Sequence, residues 1–455
     1  MPQHINLQLG WPSPSLFPSS QLLTSASEIL QSPKKTSAAL IYGPDAGYQP
    51  LRQAVATWLT SIYLPEESIP AERICITNGA SANLENILAK FTEPGYTKRI
   101  WMIEPSYFLA CPIFTDAGFE GRLCGVPEDE EGLDVEFLRT NLQRVDAEEQ
   151  QETPKFKTSP RYKHLYKHVI YAVPTFSNPS GKTMSLRRRC ELVKLAREHD
   201  ALVVTDDVYD VLRWPVKVYA ATSDLEDAPP RIVDLDRTLD GGPKYEWGNA
   251  VSNGSFSKII APGVRTGWAE ATPAFILGLS QVGATRSGGC PSHLAATFVH
   301  EMIASGALEK HIRDVLIPTY RSRYYAMSKA IEEHLIPLGF RVSTGKPYEA
   351  SSAPNSKTNG HARKEAAAGG YFTYISAPAD LPLSVGDVAA LALQRHDLKF
   401  AYGGMMAVEG DGGSSKRAAE GFGNGIRLCW AWHDEKEITE GIQRLARLVM
   451  EVKTN

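Results

Sequence analysis

Cysteine is scarce and scattered: six residues in 455, at positions 75, 111, 124, 190, 290 and 429, none in a C-x-x-C pair. That spacing excludes a metal-ligand motif and fits ordinary apolar cysteines in a reducing compartment. No apolar run approaches the roughly 20 residues that a membrane span requires. The opening stretch MPQHINLQLGWPSPSLFP lacks the basic start and apolar block of a secretory signal, so the cytoplasm is the expected location. Positive charge is not in excess either. Lysine plus arginine number 48 against 52 acidic residues, a net charge of −4, which leaves no general electrostatic footprint for nucleic acid. The one basic run, Arg187 to Arg189, is expected on the solvated face of a helix. There is no internal repeat.

What the chain does contain is a globular balance of 43% apolar and 22% charged residues, over a length that can bury a sizeable core. Residues 1–45 are rich in Pro, Ser and Gly and read as an extended arm around one short helix. Beyond residue 50, strand-like and helical pieces alternate. RICIT (73–77), RIWMIE (99–104), HVIYAVP (168–174) and ALVVTDD (201–207) are short apolar strands. SANLENILAKF sets Leu84, Ile87, Leu88 and Phe91 at helical spacing, and SLRRRCELVKLAREH is a helix capped by Ser185. This rhythm predicts an α/β fold with a mostly parallel sheet, whose ligand lies at the carboxyl ends of the strands. A large domain is expected over 46–320 and a smaller α/β domain over 321–455, joined by a long amphipathic segment near 306–335. Four segments, 144–163, 222–247, 350–369 and 408–424, lack apolar periodicity and are expected to be surface loops, partly disordered.

The chemistry concentrates in SFSKIIAPGVRTGW, residues 255–268. A lysine becomes a nucleophile when desolvation or nearby positive charge lowers its pKa, and its signature reaction is a Schiff base with a carbonyl. Around Lys258, the hydroxyls of Ser255 and Ser257 and the guanidinium of Arg265 are phosphate-binding groups, and Gly263 and Gly267 allow close backbone approach. A lysine beside a phosphate cradle points to pyridoxal 5′-phosphate.

The pattern S-x-S-K-x-x-x-P-G-x-R-x-G-W resembles that of the fold-type I aminotransferases, classes I and II. It is most similar to the branch of aminoadipate and kynurenine aminotransferases and their fungal relatives. The resemblance implies the fold-type I transferase architecture and an internal aldimine on Lys258. It implies a phosphate site at Gly79, Ala80 and Ser81 of TNGASANLENIL, where a strand meets a helix. Relatives often carry serine then glutamine where this chain has Ala80 and Ser81, so any contact from Ala80 is through backbone.

Further roles follow from the same resemblance. Tyr107 of EPSYF would stack on the pyridine, and Asn178 of VPTFSNPSG would bond its 3′-oxygen and orient the substrate carboxylate. Asp206 of VTDDVYD would keep the pyridine nitrogen protonated, with Tyr209 on the 3′-oxygen and Asp207 as a supporting carboxylate. Arg427 of GNGIRLCWAW would grip the substrate α-carboxylate, and the Gly10 backbone would lie over the substrate. Tyr42 of IYGPDAGYQPLR matches the tyrosine that reaches the neighbouring subunit's phosphate, which implies a homodimer with shared sites.

The implied activity is transfer of an amino group between an L-α-amino acid and a 2-oxo acid. A carbon–sulfur lyase or aminocyclopropane carboxylate synthase would use the same Lys, Asp and Arg and is the alternative. A regulator with an aminotransferase-like sensor domain would need a DNA-binding domain ahead of residue 10 and is the least favoured. Aromatic, branched-chain and aminoadipate substrates all remain open.

Overall fold

The computed structural model describes residues 4–454 except 149–154, 223, 224, 226, 290, 344, 346, 347 and 349–364. Its centre is an eight-stranded sheet. In spatial order the strands are Ile74–Thr77, Gly267–Glu270, Ala250–Ser255, Ala201–Asp206, His168–Ala172, Arg99–Glu104, Leu123–Asp129 and Gly132–Leu133. The middle five pair in parallel, while Gly267–Glu270 and Gly132–Leu133 run antiparallel to their neighbours. His168–Ala172 is buried at all five positions, which explains its continuous apolar run: both faces are covered.

A second sheet pairs Arg341–Val342, Phe372–Ser376, Gly425–Cys429 and Ala401–Tyr402, all antiparallel. The N-terminal strand Ile5–Asn6 adds in parallel to Leu398–Lys399, which ties the start of the chain to its C-terminal third. Helix Ile317–His334 packs along the C-terminal helix Glu435–Thr454. Ser185 caps the helix Leu186–Glu198 by accepting the Arg188 N–H.

Three expectations need correction. The N-terminal region holds two helices, Ser19–Leu30 and Pro33–Leu40. Pro33 at the second helix's first turn and the Ser32 cap favour a helix start where composition alone suggested extended chain.

Of the run Arg187 to Arg189, only Arg187 faces solvent. Arg188 and Arg189 are buried. Arg189 donates to the carbonyls of Met184, Pro174 and Pro230 and to Thr175 Oγ1, satisfying backbone groups that the strand end leaves open. A guanidinium with five donors can be buried when carbonyls take them.

Where they are described, the insertions contain regular structure. Segment 222–247 contains the helix Ile232–Thr238, whose Ile232 and Val233 enter the core. Ala367–Gly369 pairs with Arg213–Pro215, and Gly412–Glu420 is a helix docked on the large sheet. Residues 149–154, 223, 224, 226 and 350–364 of these segments lie outside the described residues.

Candidate active site

The parallel strands deliver their carboxyl ends to one edge of the large sheet. Asp206 ends one strand there, Ser255 ends its neighbour, and the turn at Gly79 follows Ile74–Thr77. A cleft of about 410 Å³ opens at this edge and gathers Gly10, Ala80, Ser81, Tyr107, Asn178, Asp206, Tyr209, Ser255, Ser257, Lys258, Arg265 and Arg427. Twelve of the residues named from sequence therefore converge. Gly79 stands directly behind the cleft, and Tyr42 does not line it.

Lys258 closes the turn Phe256–Lys258 and donates from Nζ to the Gly10 carbonyl at 2.9 Å. Desolvation brings its pKa down to about 8, against the opposing pull of Cys429 and Asp206. Asp206 lies across the cleft floor. Burial raises its pKa to about 6, while the hydrogen bond from Tyr171 Oη to its Oδ2, at 3.0 Å, acts the other way. Its Oδ1 is buried and has no partner among the described residues. An acceptor in that position fits the N–H of a protonated pyridine, which is the first test of the cofactor.

The phosphate end supplies a second. Helix Ala80–Phe91 starts at the cleft, and Gly79 before it has φ of +94°, which a side chain rarely adopts. A Cβ there would meet Arg265 Nη2 at 2.5 Å. Arg265 is held by the carbonyls of Asn78 (2.7 Å) and Pro262 (2.9 Å), with Ser257 Oγ at 3.5 Å. Ser255 Oγ donates to Ser257 Oγ at 2.8 Å. Helix N–H groups, two hydroxyls and a guanidinium form a donor set suited to a phosphate dianion.

Arg427 is buried on the strand Gly425–Cys429. Nη1 donates to Asn178 Oδ1 at 2.8 Å and Nη2 to the Gln8 carbonyl at 2.6 Å, while the guanidinium lies 4.3 Å from the Phe372 ring centre. Phe372 also presses on Gly10, where a Cβ would come within 2.8 Å of its ring. The glycine thus lets the N-terminal segment approach both Lys258 and the arginine. Asp207 is buried and held in the sheet: the Thr205 and Ser252 hydroxyls donate to its Oδ2 at 2.7 and 2.6 Å.

Sequence reasoning missed Tyr171, Gln8, Phe372 and Tyr371, whose Oη donates to the Lys258 carbonyl at 3.1 Å. Tyr171 alone left a trace: a tyrosine inside an apolar strand must find a partner for its hydroxyl.

Comparison with known proteins gives the family. Residues 14–346 match the model of the family "Aminotransferase class I and II". The chain is 30% identical to aromatic-amino-acid aminotransferase 1 of Thermococcus litoralis, over 98% of this chain and 88% of that one. It superposes on the kynurenine aminotransferase of Pyrococcus horikoshii with TM-score 0.73 and 27% identity, covering 98% and 91% of the two chains. LysN, the α-aminoadipate aminotransferase of Thermus thermophilus, gives 0.71 and 26% over 99% and 92%, in a complex with N-(5′-phosphopyridoxyl)-L-leucine. The chain belongs to the class I and II aminotransferases, and it is a pyridoxal-phosphate-dependent enzyme of transamination rather than elimination.

Proposed function

We propose that this enzyme takes an aromatic L-amino acid as donor and passes its amino group to a 2-oxo acid. Trp11, Phe108 and Leu109 line the open side of the cleft, and Trp11 meets Trp432 edge-on at 6.3 Å. An apolar wall opposite a carboxylate-binding arginine suits a large flat side chain. The relative from Thermococcus litoralis, an aromatic-amino-acid aminotransferase by name, supports the choice.

The bound coenzyme supplies a carbonyl that receives the amino group and a ring that accepts the electron pair left at the α-carbon. The protein's residues do the rest. Lys258 would hold the coenzyme through its Nζ and, once free, would move a proton at the substrate α-carbon. Asp206, seated by Tyr171, holds the ring nitrogen protonated, with Tyr107, Asn178 and Tyr209 placing the ring and its 3′-oxygen. Gly79, Ala80, Ser81, Ser255, Ser257 and Arg265 bind the phosphate. Arg427 and Asn178 fix the α-carboxylate beneath the Gly10 backbone.

Tyr42 serves the phosphate of a second subunit, so the working molecule is a homodimer. Residues 1–45 form its arm, with 46–320 as the coenzyme-binding domain and 321–455 as the small domain. The cytoplasm is its site of action; among the described residues no helix is long and apolar enough to cross a membrane.

The observation that carries the amino-transfer reading is the buried Asp206 Oδ1, without a partner among the described residues, in the same cleft as Lys258 and Arg427. Single-turnover conversion of the bound coenzyme to its amine form, followed by absorbance across a panel of amino acids, tests it. Tyrosine, phenylalanine and tryptophan should react fastest without release of ammonia. Faster reaction of branched-chain or acidic amino acids would overturn the substrate assignment.

A further inference from the structure

The segment between the strands Ala401–Tyr402 and Gly425–Cys429 has a polar composition, yet it is bound tightly to the end of the large sheet. Glu104 closes the strand Arg99–Glu104 three residues before Tyr107 and is 1% exposed. A carboxylate so buried must be compensated. Both compensating groups come from the helix Gly412–Glu420: Arg417 Nε donates to Oε1 and Ser414 Oγ to Oε2.

The same arginine donates from Nη2 to the Gly125 carbonyl at 3.0 Å and lies 3.5 Å from Asp411 Oδ2. Asp411 Oδ2 in turn accepts the Gly125 N–H at 2.8 Å. Gly125 is required by this packing, because a Cβ would fall 1.9 Å from Glu104 Oε2. On the far side of Glu104, the Ser106 N–H donates to the Met406 carbonyl at 2.8 Å. Segment 406–417 therefore grips the turn that carries Tyr107 on both sides. It also runs into the strand that holds Arg427.

We propose that Arg417 is a positioning residue for the amino-transfer reaction: through Glu104 it fixes the turn that presents Tyr107 to the coenzyme ring. It touches neither coenzyme nor substrate. The proposal rests on the reading of Tyr107 as the ring's seat. Loss of the guanidinium leaves the turn anchored on one side, so the ring tilts while the carboxylate clamp at Arg427 stays formed.

The test uses the full-length holoenzyme and the variants Arg417→Met, Arg417→Lys, Tyr107→Ala and the Arg417→Met/Tyr107→Ala pair. Arg417→Met should alter the visible circular dichroism of the bound coenzyme and weaken coenzyme affinity. It should also lower kcat by on the order of tenfold or more, with little change in KM for the amino acid. Arg417→Lys, which retains one charged donor, should recover part of each. In the Tyr107→Ala background, Arg417→Met should add almost nothing, because its effect passes through that ring.

Should Arg417→Met fail to fold, Ser414→Ala removes the other hydrogen bond to Glu104 and carries the same comparison. A variant that melts lower but keeps the wild-type coenzyme dichroism and kcat would overturn the proposal. So would an undiminished effect of Arg417→Met in the Tyr107→Ala background. Failure of the underlying reading is separate: Tyr107→Ala alone would then leave the coenzyme signal untouched.

Discussion

Lys258 sits among groups that pull its proton affinity in opposite directions. Desolvation is the largest influence and favours the neutral amine, bringing its pKa to about 8 from 10.5. Attachment of the coenzyme to the coenzyme-free protein requires that neutral amine. The attachment rate should therefore rise about tenfold per pH unit below 8 and level off above it. Stopped-flow absorbance across pH 6 to 9.5 measures this, and a rate still climbing at the upper end would show an ordinary lysine. Lys258→Ala should eliminate covalent attachment and multiple turnover. Arg427 has two of its donors committed to Asn178 and Gln8, and its Nε is buried without a partner among the described residues. Removing one side of a desolvated charge pair costs about 2–5 kcal/mol, a factor of roughly 30 to several thousand in kcat/KM. Arg427→Ala should lose that much toward amino acids while its reactivity toward the decarboxylated amines changes little. Equal losses on both would place the carboxylate clamp elsewhere.

At the scale of the element, legibility followed distance along the chain. The helix Ala80–Phe91 and the strand Ala201–Asp206 were readable because their apolar periodicity is local. The helix Gly412–Glu420 was not. Its sequence GGSSKRAAE has no apolar face, and it is held by Arg417 and Ser414 meeting Glu104 more than 300 residues away in the chain. Arg189 was misread for the same reason, since its carbonyl partners are set by tertiary packing. Among the site residues, Lys258 and Arg265 shared one short motif, whereas Tyr171 became a partner of Asp206 only through the pairing of two parallel strands.

The start of the strand His168–Ala172 carries a further consequence. His168 is fully buried and receives the Trp101 indole N–H at Nδ1, 3.2 Å away. Its Nε2 lies 3.3 Å from Asp146, which also bonds His199, with Lys98 nearby. Burial lowers the His168 pKa to about 4 despite Asp146. Between pH 6.5 and about 4 the unfolded chain takes a proton here and the folded one does not, so stability falls as pH falls, by on the order of 3 kcal/mol. Asp146 adds to the loss at still lower pH: burial pushes its pKa up, but the hydrogen bonds from His199 and His168 together with the charges of His168 and Lys98 hold it below the usual value. Urea unfolding of wild type and His168→Gln at stepped pH measures the difference. The variant should be weaker at pH 7 but flatter between 6.5 and 4; parallel curves would assign the acid sensitivity to other groups.

On the homodimer reading, Tyr42 has its partner in a second subunit. It is 81% exposed and does not line its own chain's cleft, and Leu40 and Ile41 beside it are exposed as well. A run of large apolar side chains on the surface suits a face that another subunit covers. If Tyr42 bonds the neighbour's phosphate, a carboxylate in its place should repel that dianion and disable the site. Tyr42→Asp and Lys258→Ala homodimers should each be nearly inactive. In a mixed dimer assembled by co-refolding, both lesions fall in one site, built from the altered Lys258 of one chain and the altered Tyr42 of the other. The remaining site combines an intact Lys258 with an intact Tyr42 from its partner. Activity should return to at most about half the wild-type level per mixed dimer, as two independent sites require. Were Tyr42 to serve its own chain's coenzyme, each site would keep one lesion and no activity would return. Tagged mixed dimers purified to homogeneity and still inactive would rule out a shared site, because no other arrangement of the two lesions leaves both sites broken.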